Sequence, residues 1–144
     1  MLPFVQKSDH VSYTRWPNGV HEFVLHDNTR AAFEECYVLL NTILGEQPPD
    51  QPIRWLFDLR EAGIAHIGYI WQLTRQLVDN HHPLPVIYEV VLHNLHGILA
   101  DTFTKLVEML AILPGAHLRF FAGDTREVAL QWLLDHSTST GLEG

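Results

Sequence analysis

The chain has 144 residues, 47% of them hydrophobic and 18% charged, which is enough apolar matter for one buried core and too much for a disordered chain. Its formal charge of −8 argues against non-specific binding to nucleic acid or anionic lipid. No apolar run approaches the roughly 20 residues of a membrane-spanning helix. The opening MLPFVQKSDH lacks the basic-then-apolar pattern of a secretory signal, and the single Cys36 cannot form an internal disulfide, so a reducing cytoplasm is the expected setting.

VSYTRW and VHEFVL alternate in polarity on either side of Pro17-Asn18-Gly19. Asn-Gly supplies the positive φ angles of a tight reversal, so residues 11–25 read as a hairpin. Asp27, Asn28 and Thr29 then offer N-cap oxygens to a helix. Its apolar face is Phe33, Cys36, Tyr37, Leu40, Ile43 and Leu44, at spacings of three and four, and Gly45 with QPPDQP ends it. IRWLFDL (53–59) is apolar almost throughout, as befits a strand buried on both faces. Ile67, Ile70, Leu73 and Leu77 mark a second helix, closed by NHHPLP.

VIYEVVL (86–92) is a second interior strand, and Leu99, Phe103, Leu106, Val107, Leu110 and Leu113 trace a third helix that stops at Pro114-Gly115. AHLRFF is a short strand. Asp124 and Glu127 have the spacing of a capping box for a last helix that packs Val128, Ala129, Trp132 and Leu133. The polar STSTGLEG places the end of the domain near residue 136, with 137–144 a flexible tail. The order β-β-α-β-α-β-α-β-α implies a single α/β domain with a mixed sheet. Its core is parallel, joined by right-handed crossovers, and its edge is an N-terminal antiparallel hairpin.

This order, the strand ending LFDLRE and the terminal RFFAGDTREVALQWL resemble the STAS-like domains, whose members include bacterial anti-sigma-factor antagonists and the cytoplasmic domains of anion transporters. The ending is similar to an uncharacterised branch that reads FF-x-D-x-x-x-A-x-x-WL, here Phe120, Phe121, Asp124, Ala129, Trp132 and Leu133, with the spacing around Gly123 and Asp124 departing by a residue. The resemblance spans roughly residues 11 to 135 and implies a fold more than an activity. In the antagonists, the turn after this strand presents a serine or threonine that a partner kinase phosphorylates. The matching turn here, from Arg60 to Tyr69, has neither, and Thr74 is the first such hydroxyl downstream. The resemblance therefore implies a regulatory module without the usual phosphoswitch.

The same turn shows no other chemistry. Gly63 and Gly68 stand five apart with no lysine nearby, no G-x-S-x-G elbow occurs, and Cys36 falls on an apolar helix face where a thiol is inert. No cofactor and no enzymatic activity are expected. Asp58 and Glu61, at a strand end and a helix start, suit backbone N–H groups, and Arg60 suits either as a partner. His93 and His96 are spaced for a metal if helical, with His66 or Asp58 as a third ligand. With ten histidines in the chain this spacing alone is weak, and no metal site is expected. Protonating all ten would change the net charge from −8 to +2 (−8 + 10), most strongly below about pH 6.5.

The expected role is binding, through the loop and helix from Arg60 to Trp71. Asp58, Arg60, Glu61 and His66 are the polar residues of this surface, and Tyr69 and Trp71 the apolar ones. Its partner is a regulatory protein, a second copy of the chain, or a small anion met by Arg60 and a helix N-terminus. The alternative is a carrier of a small apolar, lipid-like molecule, for which the chain has a large supply of aromatic side chains.

Overall fold

The computed structural model describes residues 2–48, 50–63, 67–81, 83–97, 101, 105 and 116–143, and for 67, 116 and 136–143 the backbone alone. His66, His82 and the expected helix through Leu99, Phe103, Leu106, Val107, Leu110 and Leu113 lie outside the described residues.

Among the described residues six strands form one mixed sheet: β1 (Phe4–Lys7), β2 (Val11–Arg15), β3 (Val20–Leu25), β4 (Ile53–Asp58), β5 (Ile87–His93) and β6 (Ala116–Ala122). The helices among the described residues are α1 (Arg30–Glu46), α2 (Ile67–Asn80) and α3 (Arg126–Glu143). The strands stand in the sheet in chain order; β1, β2 and β3 pair antiparallel, and β3 to β6 pair parallel. The α/β layout with its antiparallel N-terminal edge is as expected, with one strand more. In β1 every residue is exposed, so no alternation announces it; it is a strand because its backbone pairs with β2.

Side-chain alternation sends the apolar residues of the interior strands to two separate cores. One face carries Tyr13, Phe23, Leu25, Trp55, Ile87 and Val91, and packs on Phe33, Cys36, Ile43 and Leu44 of α1, with Ile70, Leu73 and Leu77 of α2 alongside. The other carries Val20, Leu56, Tyr88, Val90 and Leu92 and is covered by Ala129 and Leu133 of α3. Full burial of each large side chain stabilises by about 1.5–3 kcal/mol.

The local signals hold with particular corrections. Thr29 is the N-cap of α1, its side chain accepting from Ala32 N–H, while Asp27 accepts from the Thr29 N–H and hydroxyl. The helix runs through Gly45 to Glu46, one turn being completed by the Gln47 N–H on the Ile43 carbonyl. In the hairpin turn Gly19 alone takes positive φ (90°), and Asn18 contributes its side-chain oxygen to Val20 N–H instead. That is a three-residue loop closed by one left-handed glycine rather than a two-residue Asn-Gly turn. The expected Asp124–Glu127 capping box does not form: α3 opens at Arg126, Ala129 N–H bonds to the Thr125 carbonyl, and both Asp124 and Glu127 are exposed. Val128, expected in the core, is 59% exposed, because the buried stripe runs through Ala129 and Leu133. Helix α3 runs from Arg126 to Glu143.

Candidate functional site

The loop after β4 is held by its own charges. Asp58, buried at the strand end, receives Arg60 in a fork: Nε lies 3.0 Å from Oδ1 and Nη2 2.8 Å from Oδ2. The Arg60 N–H adds a third bond to Oδ1 at 3.1 Å, and Nη1 donates to the Gly123 carbonyl at 3.3 Å. The hydrogen bond to Asp58 holds the guanidinium pKa above its ordinary value. A small anion at Arg60 would share the guanidinium with Asp58, which already takes Nε and Nη2.

The remaining residues of that expected surface have other partners. Glu61 Oε2 lies 2.9 Å from His26 Nδ1. Tyr69 donates its hydroxyl hydrogen to Glu34 Oε1 at 3.0 Å and accepts from Arg30 Nε at 3.0 Å, with that guanidinium 5.4 Å from the ring centre. Trp71 is 40% exposed. The structure thus joins Asp58 to Arg60, fastens Glu61 to the end of β3 and Tyr69 to α1, and leaves Trp71 facing outward.

A second buried carboxylate sits on the α3 side of the sheet. Glu22 accepts from Arg126 Nε (3.0 Å) and Nη2 (2.7 Å) and from the Trp16 indole (2.9 Å). With its charge balanced and its oxygens occupied, this cluster is a structural tie.

His93 and His96 do not share a helix face, the arrangement their spacing would need to hold a metal. His93 is the buried last residue of β5, where its ring meets Phe120 edge-on and its Nδ1 accepts the Leu95 N–H at 3.2 Å; His96 is exposed in the following coil. No group of three or more metal-binding side chains occurs among the described residues.

The feature with binding chemistry lies between the sheet and helices α1 and α2. A cavity of about 180 Å³ opens there, walled almost wholly by apolar side chains, including Phe33, Leu40, Phe57, Leu73 and Phe120. Among the described residues one acid lines it, Glu89 of β5. The parallel register sets Trp55 directly opposite Glu89, and the Trp55 indole N–H donates to Glu89 Oε1 at 2.9 Å. Glu89 is only partly buried by surface area, since it borders the cavity, yet it stands in apolar surroundings. Burial pushes its pKa up to about 7, against a smaller pull downward from the indole hydrogen bond. Cys36 also lines the cavity, and burial, followed by the nearby Glu89 charge, drives its thiol pKa far up, so it is no nucleophile.

Sequence reasoning does not single out Glu89. The signal is present: a lone acid in VIYEVVL, a strand expected to be buried on both faces. Its meaning depends on the neighbouring strand, which decides what Glu89 faces.

Comparison of the chain with protein-family models, with curated proteins and with solved structures finds no match. Among the described residues no helix is long and apolar enough to cross a membrane.

Proposed function

We propose that the protein is a non-catalytic binding module that takes a small, mainly apolar molecule into the cavity under α1 and α2. The carrying observation is the cavity itself: about 180 Å³ of space with apolar walls and one carboxyl group among the described residues. Protein interiors are close-packed, so a void of this size is uncommon, and roughly 150 Å³ is enough to hold benzene. The scale suits a single ring better than a long acyl chain. Binding rather than catalysis is favoured because Cys36 is a protonated, buried thiol and Glu89 has no nucleophile beside it to activate among the described residues.

Thermal unfolding with and without toluene tests this. A ligand of the folded state raises Tm with concentration. Toluene should raise Tm for the natural sequence and not for Leu73→Phe, which fills the space. No shift in either protein rejects the cavity as a binding site. Native mass spectrometry of the purified protein adds whether a molecule is retained and how many copies of the chain associate.

A second reading is favoured by one observation, the outward-facing Trp71 on α2. Tryptophan is among the residue types most enriched at interface hot spots, so contact with a regulatory protein or a second copy fits that helix. Trp71→Ala should then abolish association in sedimentation experiments while leaving Tm unchanged. The STAS-like assignment belongs with this reading: the strand-helix order and the Phe120–Leu133 ending support it, and a regulatory role in a cytoplasmic setting would follow from it.

A further inference from the structure

We propose that the cavity selects molecules carrying a basic nitrogen, with the ammonium or ring cation meeting Glu89 and the apolar remainder packed among Phe33, Phe57 and Phe120. This rests on the cavity being the binding site. Among the described residues, Glu89 Oε1 has the Trp55 indole N–H as its hydrogen-bond donor, and no cationic side chain lines the cavity with it. This carboxylate has no counter-ion among the described residues, and burial of an unpaired charge is costly. A bound cation supplies the missing charge and N–H donors together. The lining is also rich in aromatic rings, Phe33, Trp55, Phe57 and Phe120 among them, a type of side chain that attracts cations. An anionic ligand would instead set two negative charges in one apolar space.

The ionisable groups around Glu89 are few among the described residues. Cys36 and Tyr37 face the cavity from α1, and the tyrosine hydroxyl accepts a hydrogen bond from Asn80. Helix α2 contributes Ile70, Leu73, Thr74, Leu77 and Val78, none of them titratable near neutrality, and β6 contributes Leu118 and Phe120. On the β4 side the next group in the row is His21, opposite Trp55 in the register, and burial lowers its pKa to about 4, so it is neutral at pH 7. Since the Glu89 carboxyl titrates at about 7, amine affinity should rise through neutrality as the carboxylate forms.

Calorimetric titration of the natural protein with benzylamine, toluene and benzoate, at pH 6 and pH 8, tests this. Benzylamine is expected to bind more tightly than toluene, and tighter at pH 8 than at pH 6; benzoate should not bind. Glu89→Gln should lose about tenfold or more in benzylamine affinity and none for toluene. Toluene binding without a benzylamine advantage overturns the inference and leaves the cavity reading in place. So does benzylamine binding that Glu89→Gln does not weaken. Tighter binding at pH 6 would assign Glu89 the role of a neutral hydrogen-bond donor, again against the inference. Failure of all three probes overturns both, provided Glu89→Gln and the natural protein melt normally.

Discussion

Arg126, the first residue of α3, places two guanidinium nitrogens on Glu22 of β3, a residue 104 positions earlier in the chain. The pair fixes where the last helix crosses the sheet, since the fork of donors allows one orientation of the carboxylate. Removing one partner leaves a buried charge, whereas removing both replaces it with apolar contact. Arg126→Ala should lower stability by about 3 kcal/mol, the lower end of the range for a broken buried pair, because its head is partly exposed. The double variant Glu22→Leu with Arg126→Met should recover most of that loss in urea denaturation. A double variant as unstable as the single one would mean that the pair contributes net stability.

The face of α3 is decided by two residues. Leu133 is fully buried and Val128 is 59% exposed. Leu133→Ala should therefore cost about 3 kcal/mol and Val128→Ala less than about 0.5 kcal/mol. Equal costs would mean that the helix is rotated about its axis.

Glu89 makes stability fall as pH rises. Its pKa is about 7 in the folded state, against an ordinary value of 4.5, so the folded protein holds the proton longer. The stabilisation is complete below pH 4.5 and is lost as pH climbs through 7. Glu89→Gln removes this dependence. Relative to the natural protein, the variant should gain about 3 kcal/mol between pH 4.5 and pH 8, read from urea midpoints at each pH.

His21 acts in the opposite direction. Burial, with Arg15 as the lesser cause, lowers its pKa from 6.5 to about 4, so the unfolded chain takes up the proton first. Its contribution is intact above pH 6.5 and is lost as pH falls toward 4. His21→Gln should flatten the acid limb of the stability curve, although it also gives up the contact of 2.7 Å between Nδ1 and the Tyr13 hydroxyl. An unchanged acid limb would place the imidazole in water.

Cys36 offers a simple probe of the same region. Its burial predicts no reaction with a disulfide reagent in the native protein and complete reaction in concentrated guanidinium chloride. Rapid native labelling would mean that the reagent reaches the thiol through the cavity or that α1 lifts from the sheet.

The parts of this architecture that are legible in the sequence are those written in local pattern. The face of α1 from Phe33 to Leu44 and the alternation of VSYTR and VHEFVL follow from spacing alone, and Thr29 from its oxygen. Strand β1 is illegible because FVQK owes its form to pairing with β2, and Thr125 takes the helix entry that Asp124 was expected to cap. Of the expected site, Asp58 and Arg60 are recognisable because their partnership spans two residues. The Trp55–Glu89 pair spans 34 residues and the Arg126–Glu22 pair 104, and no local pattern carries either distance.

The placement of α3 also has a consequence for how the molecule is made. The chain emerges from the ribosome with β1 through β6 ahead of the helix that shields Val20, Leu56, Val90 and Leu92. During that interval these apolar side chains lack the cover that, among the described residues, α3 gives them, so this is the stage at which chaperone capture or clumping would occur. A stall or a premature stop before Arg126 would prolong that exposure, which the arrival of α3 shortens.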